Sequence, residues 1–212
     1  MRRGVRSFPA IILAAVALAV PASPAAAITL GQLAASPNGC ASNTDWVEPA
    51  VSSGVVPYVV PNGYGTITSW STRAFGSPGD LGLKVFRPTS TALTYSAVAH
   101  DGPHTLSSPG VNTFPVNIRV QPGDLIGLHV GDLGATCSEI IGSDPDYHFP
   151  DDLLDGQQGG PFTAINDRRL DITAEVAPTV TGQRAAALKK CKKRHSKRAR
   201  RKCRRKANLL PS

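Results

Sequence analysis

Five aspartates, Asp144, Asp146, Asp151, Asp152 and Asp155, fall within the stretch SDPDYHFPDDLLDGQQGGP (Ser143 to Pro161). Carboxylates gathered in a loop are the hard oxygen ligands that Ca²⁺ takes, and a pair of them could supply the acid and base of glycoside hydrolysis. The spacing is neither that of an EF-hand loop nor that of a Gly-rich nonapeptide repeat. A solvated acidic loop has the same composition, and nothing singles out a pair. A second group, His100, Asp101 and His104, sits in HDGPH. Asp, Gly and Pro between two His residues read as a turn with exposed imidazoles. His129 alternates within LIGLHV and reads as a side chain on a polar strand face. No G-x-S-x-G elbow and no H-E-x-x-H motif occurs. No residue is therefore assigned a catalytic role, and a non-catalytic protein is preferred to an enzyme. For sugar binding through exposed aromatic rings, Trp46, Tyr64, Trp70 and Tyr147 are the candidates. Tyr64 and Tyr147 lie in turn or loop sequence and are expected at the surface, whereas Trp70 lies in strand sequence and reads as core.

The strongest signal is electrostatic. The chain has 212 residues, with 23 Lys and Arg against 15 Asp and Glu. All 15 acids lie between residues 28 and 183, with six bases: Arg73, Lys84, Arg87, Arg119, Arg168 and Arg169. That body carries a formal −9, and the fourteen bases from Arg184 onward make the tail +14. Thirteen of them are Lys189, Lys190, Lys192, Lys193, Arg194, Lys197, Arg198, Arg200, Arg201, Lys202, Arg204, Arg205 and Lys206. Such a block attracts polyanions. No aromatic interleaves it, so it offers no stacking platform for bases. It also lacks the broad apolar face of an interfacial helix.

The four cysteines fall in pairs. Cys40 and Cys137 are the two in the body, and a bridge between them would tie the N-terminal segment to the sheet. Cys191 and Cys203 then pair by elimination. In one straight helix residues twelve apart lie about 18 Å apart, whereas a disulfide needs Cα atoms within about 7 Å. Either the tail bends near Arg194–Lys197 into a helical hairpin, or the thiols bridge to other molecules. The hairpin is preferred, because Cys191, His195, Ala199, Cys203 and Ala207 recur every four residues as an uncharged stripe. Zinc held by Cys191, His195 and Cys203 would lack a fourth ligand.

These groups need elements to position them and a compartment to act in. Residues 1–27 read as a secretory signal peptide: Arg2, Arg3 and Arg6, then an apolar run from Ile11 to Val20, then Ala25-Ala26-Ala27. No other stretch is long and apolar enough to span a membrane, so the mature chain is expected to have no transmembrane helix. Export places the protein outside the cell or at its envelope, where disulfides are the default. Nucleic acid is then disfavoured as a native partner. Wall polymers and lipid headgroups are the expected partners of the tail, and a glycan is a candidate partner of the body.

Residues 28–177 alternate apolar and polar positions over short runs: GTITSWST (65–72), LGLKVFR (81–87), LTYSAVAH (93–100), FPVNIRV (114–120), LIGLHV (125–130) and LDITAEV (170–176). Period-two alternation is the strand signal. VVPYVV (55–60) reads as a further, edge strand because of Pro57. PGDL occurs twice, at 78–81 and 122–125, and reads each time as a type II turn joining consecutive antiparallel strands. Seven or more short strands predict an all-β, antiparallel sandwich of jelly-roll type, followed by a linker at 178–183 and a short basic helical tail at 184–212.

The runs VPNGYGTITSW, LGLKVFRP, HDGPHTL, VQPGDLIGLHV and DITAEV resemble a group of uncharacterised secreted β-sandwich proteins of high-GC actinobacteria. Some of these also end in a Lys/Arg-rich segment with two Cys and a terminal Leu-Pro, as at Cys191, Cys203 and Leu210-Pro211 here. The resemblance implies a secreted sandwich and carries no activity. Three functions stay in view: a non-catalytic module retained at the anionic envelope by its tail, a small extracellular polysaccharide hydrolase, and an envelope structural or antimicrobial-like protein acting through the tail.

Overall fold

The computed structural model describes residues 26–208, apart from 36, 53, 76–78, 108, 133–134, 142–143 and 180–182. The expected signal peptide and the terminal Leu-Pro lie outside the described residues. Among the described residues fourteen strands precede two helices: β1 (Ile28–Gln32), β2 (Asn38–Gly39), β3 (Thr44–Val47), β4 (Tyr64–Ala74), β5 (Asp80–Pro88), β6 (Tyr95–Thr105), β7 (Gly110–Arg119), β8 (Leu125–Val130), β9 (Thr136–Ile140), β10 (Asp146–Phe149), β11 (Gln158–Gly159), β12 (Thr163–Ile165), β13 (Arg168–Leu170), β14 (Ile172–Pro178), α1 (Gln183–Lys192) and α2 (Lys197–Ala207). They form antiparallel sheets in the orders β1-β14-β4-β7, β11-β6-β5-β8-β3-β10-β12 and β13-β9-β2. No described helix is long and apolar enough to cross a membrane.

Alternation becomes register directly. On β5 and β8, Leu81 lies opposite Val130, Leu83 opposite Leu128 and Val85 opposite Ile126. On β4 and β14, Trp70 faces Ala174 and Ile67 faces Val176. These residues belong to one hydrophobic cluster that draws on both larger sheets. Each fully buried Leu, Ile or Val removes enough apolar surface from water to contribute about 1.5–3 kcal/mol. Cys40, just after β2, and Cys137 in β9 are bonded, with Cα atoms 5.8 Å apart, and both belong to this cluster.

Three expectations change. VVPYVV is not a named strand, and only Val59 forms a bridge, to Leu125. The segment still runs beside β8, where the Ile126 amide donates to the Tyr58 carbonyl and the Val60 amide to Asp124. Pro57 and Pro61 have no N–H to donate, which keeps the ladder from growing. The two PGD turns do not make hairpins. β4 and β7 belong to the four-stranded sheet, β5 and β8 to the seven-stranded one, so both turns carry the chain from one sheet to the other. The glycines also differ in reason. Gly123 has φ +90°, and the Asp124 amide donates to the Gln121 carbonyl, as the type II reading requires. Gly79 instead has Ala135 against it, where an added Cβ would come within 2.9 Å.

The third change concerns HDGPH. It is not a turn but lies within β6, which shifts register opposite Leu81–Leu83. Gly102, at φ +118°, sits where a Cβ would meet Gly82 Cα at 2.9 Å, so the bulge depends on the close approach of two glycines.

Candidate functional site

The segment expected to be a free acidic loop is instead a roof. Asp146 begins β10, which pairs with β3 and β12, and Gln158–Gly159 pairs with β6. Between them, Leu153, followed by Phe162, drops onto the outer face of the seven-stranded sheet. There they join Val47, Phe86, Tyr95, Ala97 and Leu125 in a second hydrophobic cluster. Alternation had assigned that face to solvent, and His129 was expected on it as an ordinary polar side chain. It is on that face but covered, with its side chain 12% exposed.

Beneath the roof lies a compact set of charges. Asp45 is fully buried. One of its oxygens pairs with His129 Nδ1 at 2.9 Å, and the other accepts from the Leu153 amide at 3.0 Å. The buried Lys84 ammonium donates to Asp152 Oδ1 at 2.5 Å and to the Leu153 carbonyl at 2.6 Å. Burial pushes the Asp45 carboxyl up, against the His129 hydrogen bond and Lys84, which pull it down. For Asp152 burial acts upward too, but the Lys84 hydrogen bond and the charges of His129 and Lys84 outweigh it and hold its carboxyl below the usual range. Ligand atoms of Asp45, His129 and Asp152 lie within 4.8 Å of one another. They do not fit Ca²⁺, which takes six to eight oxygens, and Lys84 already supplies a cation to the Asp152 oxygen. The cluster works as a clasp for the roof.

The five aspartates do not converge. Asp144 accepts from the Ser52 hydroxyl and from Arg169. The Ser52 hydrogen bonds, with Arg169 behind them, lower its pKa to about 2. Asp146 is fully buried with neither side-chain oxygen hydrogen-bonded, and burial raises it to about 7. Asp151 is exposed, Asp152 holds Lys84, and Asp155 pairs with the half-exposed His100 at 2.9 Å. Among the described residues no three of these aspartates bring ligand atoms within 4.8 Å of one another, so the five do not assemble a calcium centre.

Sequence reasoning did not single out Glu48. It is fully buried, and one oxygen accepts from the Leu170 amide at 2.8 Å. Arg169 Nη2 is engaged by Asp144, and its Nε stands 3.7 Å from the other Glu48 oxygen without a hydrogen bond. Burial raises Glu48 to about 8, in spite of the Leu170 amide and Arg169. Only a contact between residues 48, 144 and 169 reveals this, and no local pattern marks it.

The aromatic candidates are not surface platforms. Tyr64 lies in β4 and Tyr147 in β10, both half-buried against the hydrophobic clusters. Trp46 and Trp70 are each 1% exposed; Trp70 is core, as its strand context implied. Its Nε1 donates to Asp101 at 2.7 Å, Asp101 also pairs with His104 Nε2 at 2.8 Å, and the His104 ring stacks on Phe114 at 4.1 Å. That dyad is a polar brace against the core indole.

The basic tail is the arrangement open to a partner. α1 and α2 are joined by Cys191–Cys203, with Cα atoms 5.5 Å apart, and the chain bends between Lys192 and Lys197. This is the expected hairpin, and a disulfide here leaves no thiolate for zinc. Ser196 caps α2, its Oγ accepting from the Ala199 amide at 3.1 Å. The uncharged stripe is shorter than expected. Cys191 and Ala207 are buried and Cys203 half-buried, but Ala199 is exposed and His195 lies exposed in the bend. All thirteen Lys and Arg residues from Lys189 to Lys206 are exposed. Among the described residues none of them is in an ion pair. No protein-family model, curated protein or solved structure matches the chain.

Proposed function

We propose that the chain is a secreted, non-catalytic β-sandwich module held at the anionic cell envelope by its basic helical hairpin, with the loops of the sandwich contacting a glycan or protein. One observation carries the reading: thirteen cations stand exposed on a helical hairpin closed by a disulfide, and among the described residues none of them is in an ion pair. Coulomb attraction of such an array to wall polymers or lipid headgroups follows. The sandwich reading is supported by the single hydrophobic cluster shared between the two larger sheets. The leader sequence and the likeness to secreted actinobacterial sandwich proteins support export, and the two disulfides are consistent with it.

The test is co-sedimentation with purified anionic wall material across a salt series, comparing residues 28–212 with a chain ending at Thr181. Full-length protein is expected to pellet at low salt and to be released at high salt, while the shorter chain stays in solution. Equal pelleting of both chains would transfer the binding to the β-domain and overturn the role of the tail.

A further inference from the structure

We infer that the outward face of α2 recognises phosphate groups of envelope polyanions through an arginine array, and not merely their negative charge. This rests on the retention reading above and names the chemistry of its ligand. α2 carries five arginines and three lysines. All five, Arg198, Arg200, Arg201, Arg204 and Arg205, line one surface concavity with Lys197 and Asn208. The other two lysines, Lys202 and Lys206, line with Arg194 of the bend the recess beside Cys191, Cys203 and Ala207, although Lys202 also borders Arg198, Arg201 and Arg205. The bonded Cys203 and the buried Ala207 turn that side of α2 toward α1. All five guanidinium groups of α2 thus stand on the face directed away from α1, and the cations of α1 whose side chains are described, Lys189, Lys190 and Lys192, are ammonium groups.

The segregation matters because the two cations differ. A guanidinium is a planar fork that binds oxyanions through two parallel hydrogen bonds, whereas an ammonium is a strongly hydrated point charge. Several forks converging on one concavity suit a phosphate, whose oxygens point in several directions. A carboxylate presents one planar edge and accommodates one fork. Neighbours three and four apart on a helix have Cβ atoms about 5–6 Å apart, and Arg198 to Arg205 spans about 10 Å along the axis. The array can therefore hold consecutive phosphates of a linear polymer or neighbouring headgroups of a lipid surface. No aromatic residue lies between Gln183 and Asn208 to stack the bases of a single strand, and duplex DNA, whose phosphates the same array could meet, is kept as a competing probe.

The experiment compares full-length protein with a variant carrying R198K, R200K, R201K, R204K and R205K, which conserves charge and keeps helix propensity nearly constant. Probes are a soluble glycerol-phosphate polymer, phosphatidylglycerol vesicles, poly-L-glutamate and duplex DNA at one ionic strength. The wild type is expected to bind at least one of the two glycerol-phosphate probes about tenfold or more tighter than polyglutamate, a difference of about 1.4 kcal/mol. The variant is expected to lose most of that preference while remaining salt-releasable. Which of the two probes is preferred assigns the phosphate to a polymer or a lipid source, and either assignment supports the inference. Equal affinity for phosphate and carboxylate probes, or an undiminished preference in the lysine variant, overturns it and leaves retention by charge intact. Tighter binding to DNA than to both glycerol-phosphate probes also overturns it. Retention reading and inference fail together only if a chain ending at Thr181 binds as well as the full one.

Discussion

Buried carboxyl groups dominate at the residue scale. Glu48 near 8, Asp146 near 7 and Asp171 near 6 are all raised, chiefly by burial. A carboxyl group with a raised folded pKa binds more protons in the folded chain than in the unfolded one. Its stabilisation is complete below the unfolded value and is lost as pH rises through the folded value. Asp144, lowered to about 2, acts oppositely and loses its contribution only as pH falls below about 4. Stability is therefore expected to peak near pH 4 and to decline toward pH 8. Each raised group contributes at most about 1.4 kcal/mol per pH unit between its two values. Glu48→Gln keeps an oxygen for the Leu170 amide and removes the titration. Thermal unfolding of this variant between pH 5 and 8 should show a visibly shallower decline than the wild type. A wild type that gains stability over this range, or a Gln variant with an unchanged slope, contradicts the assignment.

At the scale of elements, two features respond to single changes. Gly127 in β8 lies where a Cβ would approach the Trp46 carbonyl oxygen at 2.2 Å and the Phe86 ring at 2.8 Å. Neither backbone nor core ring can retreat without disturbing the β3-β8 ladder or the second hydrophobic cluster. Gly127→Ala is expected to destabilise by about 1–3 kcal/mol, the usual cost of overpacking, read from chemical denaturation. The helices of the tail depend on their disulfide. At 10 and 11 residues, each is shorter than the roughly 12–15 residues at which isolated helices become even marginal, and like charges at i,i+4, such as Lys197 with Arg201 and Arg200 with Arg204, work against α2. Replacing Cys191 and Cys203 with Ser in the full chain should remove most of the helical circular dichroism while leaving the β signal. An unchanged helical signal would show that packing alone holds the hairpin.

For the molecule as a whole, the central matter is the separation of charge. A −9 body and a +14 tail would be expected to collapse on each other if bare attraction decided. Yet the body's buried bases already have acidic partners: Lys84 with Asp152, Arg169 with Asp144; so does Arg87, which binds Asp124 through two hydrogen bonds. Among the described residues no ion pair joins tail to body. Ending the chain at Thr181 should therefore move the unfolding temperature of the β-domain by no more than about 2–3 °C, less than about 1 kcal/mol for a domain of this size. A drop of ten degrees would mean that the hairpin is part of the domain's fold and not an appendage.

Features that rest on local chemistry were legible in the order of residues alone. Six of the alternating runs became strands because a period of two sorts side chains to two faces wherever the chain is extended. The hairpin was legible because twelve residues of straight helix cannot bring Cys191 to Cys203. The cationic surface was legible because thirteen charges with no acidic neighbour in sequence find no local partner. Only the tertiary structure decided what lies on each face. Alternation cannot say that residues 150–162 roof the outer face of the seven-stranded sheet, so His129 reads as an ordinary polar side chain and is largely covered, beside a buried Lys84. It cannot say that Asp144, Asp152 and Asp155 point to three different bases, nor that Tyr64 and Tyr147 fall in strands. It also cannot separate a PGD hairpin from a PGD crossing between sheets, since turn geometry is local and sheet membership is not. Glu48 is the extreme case: burial raises its pKa against the Leu170 amide and Arg169, and the residues that enclose it are far along the chain, where distance in sequence hides them.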